Sequence, residues 1–106
     1  MTEVTIERFA AAKADGAVVV DVREPSEYVQ GHVPGAQLVP LATVPEHAGA
    51  LPTGRPVYVV CASGNRSLRA TQYLRGAGVD AYSVRGGTQA WVAAGKPVMT
   101  GPHAGA

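Results

Sequence analysis

Two stretches of the chain are apolar without alternation. Ala17-Val18-Val19-Val20-Asp21-Val22 and Val57-Tyr58-Val59-Val60-Cys61 carry β-branched or other apolar residues at nearly every position. That is how a strand buried on both faces reads. A shorter run, Asp80-Ala81-Tyr82-Ser83-Val84, predicts a third strand, and Ala36 to Val39 a short one ending at Pro40. Between these runs the period lengthens. Ile6, Phe9 and Ala10 share one face of a predicted helix over Ile6–Asp15, stopped by Gly16. Pro25 opens a helical turn through Tyr28, Gly31 to Gly35 is a turn, and Pro45 to Ala50 predicts another helix before the Pro52–Pro56 turn. From Ser67 to Arg75 a helix is predicted with Ala70, Tyr73, Leu74 and Ala77 inward, ended by Gly76 and Gly78. Arg85-Gly86-Gly87 turns into a last helix, Thr88–Ala94, with Thr88 placed to cap its start and Gly95 its end.

Strands that alternate with helices predict an α/β fold of three layers, a mostly parallel central sheet with helices on both faces. Residues 1–97 read as one domain and residues 98–106, rich in Gly and Pro, as a loose tail. In such folds ligands sit beyond the C-terminal ends of the strands. Asp21, Arg23 and Cys61 all fall at such ends.

Composition narrows the chemistry. The 106 residues are 46% hydrophobic and 16% charged, enough for a core without disulfides. Cys61 is the only cysteine, so an internal disulfide and a multi-cysteine zinc site are both excluded, and neither metal nor cofactor is expected. A thiol kept free points to a reducing compartment, and the N-terminus shows no secretory pattern; a cytoplasmic protein is expected. No apolar run is long enough to span a bilayer. Residues 1–54 hold three basic against seven acidic side chains, and residues 55–106 six basic against one acidic. The half with Cys61 is therefore positive and favours a small anion. Nucleic acid is not indicated, because basic runs and interleaved aromatics are both missing.

Cys61 closes its apolar run and opens Ala62-Ser63-Gly64-Asn65-Arg66-Ser67, which leads into the helical pattern. A thiolate there is favoured by loop N–H groups and by the positive end of the helix dipole. Gly64 permits a tight turn that aims successive amides inward. Arg66 adds a permanent cation matched to an oxyanion, and Ser67 is placed to cap the helix. A buried inert cysteine is the alternative for the thiol alone. Gly64, Arg66 and the strand–loop–helix setting favour a nucleophile.

The segment from Cys61 to Ser67 resembles the active-site loop of the rhodanese (sulfurtransferase) family. Asp21-Val22-Arg23-Glu24 with Glu27-Tyr28 resembles the family's first signature, and Gly31-His32-Val33-Pro34-Gly35-Ala36 the second. Arg85-Gly86-Gly87 followed by Trp91 resembles its closing element. The four segments come in the family's order from about Val18 to Trp91. The resemblance implies a rhodanese-like fold in which Cys61 takes a sulfane sulfur from an anionic donor such as thiosulfate, as a persulfide, and passes it to cyanide or a thiol. It implies Arg66 as the donor-binding cation, the N–H groups from Ala62 to Ser67 as the persulfide cradle, and Ser63 and Asn65 as added donors. Asp21 and Arg23 would shape the pocket rim. His32 would pack a turn and take no part in catalysis. His47 and His103 match nothing and are expected at the surface, and Trp91 in the core.

Phosphatases and arsenate reductases of related fold resemble a loop with five residues between cysteine and arginine. Here four residues separate Cys61 from Arg66, a smaller cup suited to sulfur and tight for phosphate. Arsenate reduction often needs a resolving thiol, which this chain lacks. A non-catalytic rhodanese-like module and a persulfide carrier served by a protein donor or acceptor stay open as alternatives.

Overall fold

In the computed structural model, which describes residues 2–105, the apolar runs form a five-stranded parallel sheet. Its strands are β1 (Glu3–Val4), β2 (Val18–Asp21), β3 (Gln37–Leu38), β4 (Val57–Val60) and β5 (Ala81–Val84), in the order β1-β5-β4-β2-β3. Alternate residues of the central strands feed two cores. Val20, Val57, Val59 and Ala81 pack on one face against Val44, Ala70 and Leu74. Val19, Tyr58, Val60 and Val84 pack on the other against Phe9, Tyr28 and Trp91. Burial of both faces explains why these strands do not alternate in sequence. Helices α3 (Val44–His47) and α4 (Asn65–Gly76) cover the first face. Helices α1 (Ile6–Ala14), α2 (Pro25–Tyr28) and α5 (Gly87–Ala93) cover the second. Phe9 meets Trp91 edge-on at 5.4 Å between ring centroids, and this contact joins α1 to α5.

The chain leaves β2 toward β3 on one side and leaves β4 toward β5 on the other. The crevice between the ends of β2 and β4 is therefore the topological switch point, where open α/β sheets bind ligands. Val22 donates its N–H to the Val60 carbonyl at 3.0 Å there, so the segments carrying Arg23 and Cys61 leave the sheet side by side.

The structure departs from the sequence reading in several places. β1 was not expected, because two residues give no period; it forms by pairing with β5, and Ser83 donates its N–H to the Thr2 carbonyl at 2.7 Å. The predicted helix over Pro45–Ala50 is broken into 3-10 turns on either side of α3. α4 starts at Asn65, and its buried stripe is Ser67, Ala70, Thr71 and Leu74, one turn earlier than the apolar pattern implied. Tyr73 and Ala77, expected inward, are exposed. Thr88 does not cap α5; Gly86 takes that position, and the Thr88 hydroxyl is buried without a partner. Finally, the segment expected to be loose runs back along the Gly31–Gly35 turn. Met99 pairs with His32, Gly101 donates to the Val29 carbonyl at 2.9 Å, and Gly35 donates to the Ala104 carbonyl at 2.7 Å. Ala106, its last residue, lies outside the described residues.

Candidate functional site

Cys61 follows β4 directly and has no exposed surface. Its carbonyl accepts the Thr88 N–H at 2.8 Å, and the Ala62 carbonyl accepts the Gln89 N–H at 3.0 Å. The start of α5 therefore draws the loop's carbonyls to one side and leaves the following N–H groups to turn toward the sulfur. Gly64 donates its N–H to Cys61 Sγ at 3.0 Å. Its φ of 114° lies in the left-handed region, which a side chain would strain. Gly87, at φ 55°, has its α-carbon pressed against the loop: a Cβ there would overlap the Cys61 carbonyl oxygen. Its hydrogen atom is what lets α5 buttress the loop so closely.

Two opposed effects act on the thiol. Burial pushes its pKa up, and hydrogen bonds to the Ser67 hydroxyl and to the N–H groups of Ser67, Gly64 and Ser63 pull it down. The hydrogen bonds prevail, and the thiol lies below its ordinary value. The N-terminus of the twelve-residue α4 points at the same place and adds its dipole. Ser67 does not cap α4, as its position had implied. It sits in the first turn, and its Oγ lies 3.4 Å from Cys61 Sγ, 3.1 Å from the Gly64 carbonyl and 2.8 Å from Ser83 Oγ. Ala62 is half-buried, and Ser63 and Asn65 are exposed at the loop's outer edge.

Arg66 leans away from a purely solvent position to meet Glu27 of α2, at 2.6 and 2.8 Å in a fork-to-fork pair. A cation in the first turn of a helix opposes the dipole, and Glu27 offsets it. The hydrogen bond to Arg66 holds the Glu27 carboxyl at about 2, below its ordinary 4.5. Sequence reading missed this partner, which is 39 residues away. The excess positive charge of the C-terminal half is thus partly cancelled by the N-terminal half, as it is again where Arg85 meets Glu3.

Asp21 and Arg23 form a buried pair. Arg23 Nε and Nη2 donate to the Asp21 carboxylate, the Arg23 N–H donates to Asp21 Oδ1, and Nη2 also reaches the Gly31 carbonyl at 2.9 Å. The pair ties the end of β2 to the turn after α2. Arg23 also lines a cleft of about 430 Å³ with Ala62, Thr88, Gln89, Val92 and Ala93. The last four carry no mark of a site in the sequence, since only the packing of α5 beside the loop brings them there.

His32 is buried and stacked on Tyr28 at 3.6 Å. Its ring nitrogens face the carbonyls of Tyr28 and His103, each at 2.8 Å, so neither is available to Cys61. His47 and His103 are exposed, and Trp91 is buried with its indole N–H on the Pro97 carbonyl at 2.7 Å. Among the described residues, no cluster of histidine, cysteine or carboxylate side chains is placed to hold a metal, and no helix is long and apolar enough to cross a membrane.

A parallel α/β sheet with a thiol under a ring of amides at its switch point defines a class of cysteine-loop domains. Comparison with known proteins makes it particular. Residues 5–94 match the rhodanese-like domain model, and the chain belongs to the rhodanese-like family. It is 40% identical over 86 residues to the thiosulfate sulfurtransferase GlpE of Pseudomonas entomophila, covering 80% of this chain and 79% of that one. It is 35% identical over 89 residues to a sulfurtransferase of Allochromatium vinosum, covering 83% of each. Among solved structures, a rhodanese-related protein of Thermoplasma volcanium superposes with a TM-score of 0.86 at 30% identity, covering 92% of this chain and 97% of that one.

Proposed function

We propose that the protein is a sulfurtransferase that carries sulfane sulfur on Cys61. The observation that carries this reading is the sulfur itself: a sole thiol, lowered in pKa, with the Gly64 N–H at 3.0 Å. In the first half-reaction the Cys61 thiolate attacks the outer sulfur of thiosulfate. An S–S bond forms, the bond to the sulfonate sulfur breaks, and its electron pair leaves with sulfite. The terminal sulfur of the resulting persulfide keeps the negative charge; the N–H groups of Ser63, Gly64 and Ser67, which hydrogen-bond the Cys61 sulfur, support the reading that the same loop holds it. In the second half-reaction an acceptor thiolate or cyanide attacks that terminal sulfur, and Cys61 leaves as the thiolate. The scheme is double displacement and predicts ping-pong kinetics.

An anionic donor and a thiolate repel, so a cation is needed near the encounter. Arg66 fills this role without leaving Glu27. Its guanidinium has five N–H donors and the carboxylate engages two of its nitrogens, which leaves others for the donor. The cleft beside Ala62 far exceeds the volume of a small inorganic anion and leaves room for an organic acceptor. Retention of Cys61, Gly64 and Arg66 speaks against a silent binding module.

The test is intact mass after incubation with thiosulfate, then with cyanide. The wild type gains one sulfur atom and loses it to cyanide; Cys61→Ser gains none. A wild-type protein that takes up no sulfur, or a Cys61→Ser variant that still turns over thiosulfate, would sink the assignment.

A further inference from the structure

Ser83 lies on β5, wholly buried, with its hydroxyl 2.8 Å from Ser67 Oγ. The reaction as set out above gives it no role. A hydroxyl on the inner face of a sheet costs free energy unless it is hydrogen-bonded, and Ser67 is the partner it has.

The geometry around Ser67 decides what that partnership does. Its oxygen meets three groups, Cys61 Sγ, the Gly64 carbonyl and Ser83 Oγ, and it has one proton to give. With the neutral thiol, the Cys61 S–H donates to Ser67 Oγ and the Ser67 hydroxyl donates to the Gly64 carbonyl. Once Cys61 is a thiolate it has no proton, and the Ser67 hydroxyl turns to donate to the sulfur. The Gly64 carbonyl is not orphaned by this rotation, because the Leu68 N–H also reaches it at 3.3 Å. In both states the single Ser67 proton is committed elsewhere, which leaves the Ser83 hydroxyl as the donor to Ser67 Oγ. A hydroxyl that accepts a hydrogen bond donates a stronger one.

We propose that Ser83 is a positioning residue that acts through Ser67, holding its oxygen in place and polarising its O–H toward the Cys61 sulfur. The chain Ser83 to Ser67 to Cys61 stabilises the thiolate. If sulfur transfer proceeds as proposed, it stabilises the persulfide by the same route, but the thiolate effect does not depend on that reading. The charged groups around the sulfur are Arg66 of α4, paired with Glu27 of α2, and the Asp21–Arg23 pair at the end of β2. β5 and α5 bring only the neutral Ser83 and Thr88. None of the four charged side chains hydrogen-bonds Ser83, so its substitution leaves them in place.

The test uses the fact that Cys61 is the only thiol. Its thiolate is followed by ultraviolet absorbance against pH, with Cys61→Ser as the blank, in the wild type, Ser83→Ala, Ser83→Thr, Ser67→Ala and the double Ser67→Ala/Ser83→Ala. Ser83→Ala removes one atom and adds none, and a thermal melt checks that it folds. It is expected to raise the titration midpoint and cut the thiolate fraction at neutral pH by about three- to tenfold, the range of one hydrogen bond. Ser83→Thr, which keeps the hydroxyl, is expected to restore most of it. The double variant is expected to match Ser67→Ala alone, since Ser83 acts only through Ser67. A midpoint unchanged in Ser83→Ala, or a double variant in which the two effects add in full, would overturn the proposal. Neither result depends on whether the protein transfers sulfur, so this failure is distinguishable from failure of the sulfurtransferase reading.

Discussion

Glu27→Gln isolates the charge that Glu27 contributes at the mouth of the site. Gln keeps the length of the side chain and an oxygen for the Glu24 N–H, which Glu27 Oε1 accepts at 3.0 Å. What it removes is the charge opposite Arg66, together with the Oε2 acceptor that Arg66 Nη2 meets at 2.8 Å. The Glu27 carboxyl is held at about 2 instead of 4.5, first by its hydrogen bond to Arg66 and against the opposing effect of burial. A gap of that size corresponds to about 3 kcal/mol if none of it is screened. Both side chains are about a third exposed, at 34% and 35%, so solvent screening reduces the contribution to about 1 kcal/mol. The folded-state pKa lies below the unfolded one. The stabilisation is therefore present in full above pH 4.5 and lost as pH falls toward about 2. For a domain of this size, about 1 kcal/mol moves Tm by roughly 5 °C. Melts followed by circular dichroism should show Glu27→Gln below the wild type by that amount near neutral pH, with the two curves converging toward pH 2. A Tm difference that is the same at both ends would refute the electrostatic account and leave only lost packing. The same substitution unmasks Arg66, so KM for thiosulfate should fall about threefold, the scale of one exposed charge.

Arg66→Ala should raise KM for thiosulfate about tenfold, the loss of one charge-assisted hydrogen bond, while Tm falls no further than in Glu27→Gln; unchanged steady-state constants would remove Arg66 from the donor site. Asp21→Asn strips the carboxylate from the buried Arg23 and should cost about 3 kcal/mol or more, read from urea unfolding. Gly87→Ala combines a left-handed φ of 55° with overlap on the Cys61 carbonyl; a loss of about 3 kcal/mol is expected, together with slower sulfur loading as the loop is pushed out of shape. A Gly87→Ala variant with wild-type stability and loading would show that α5 does not buttress the loop.

What the sequence made legible was local. The non-alternating runs at Val18–Val22 and Val57–Cys61 announce strands buried on both faces, and Cys61 stands at the end of one of them because chain position alone puts it there. What it hid depends on residues far apart in the chain. β1 exists only because β5 is there to pair with it. Glu27 looks like an ordinary first-turn carboxylate until α4 brings Arg66 alongside. The inward stripe of α4 was misplaced for a related reason. An apolar template selects Tyr73 and rejects Ser67 and Thr71, yet the first turn of α4 faces the cysteine loop, where Ser67 has hydrogen bonds to make. Ser83 is obscure in the same way, a polar residue in a short strand whose partner is a helix away. Ser67 and Ser83, like the Asp21–Arg23 pair, are polar groups taken out of water near the ends of β2, β4 and β5, where hydrophobic patterning fails as a guide. A core that needed only stability would place apolar residues at those positions. If Cys61 carries sulfur as proposed, negative charge forms on a sulfur with no exposed surface, and the protein's own dipoles must solvate it, which gives these buried polar groups a use that stability alone does not.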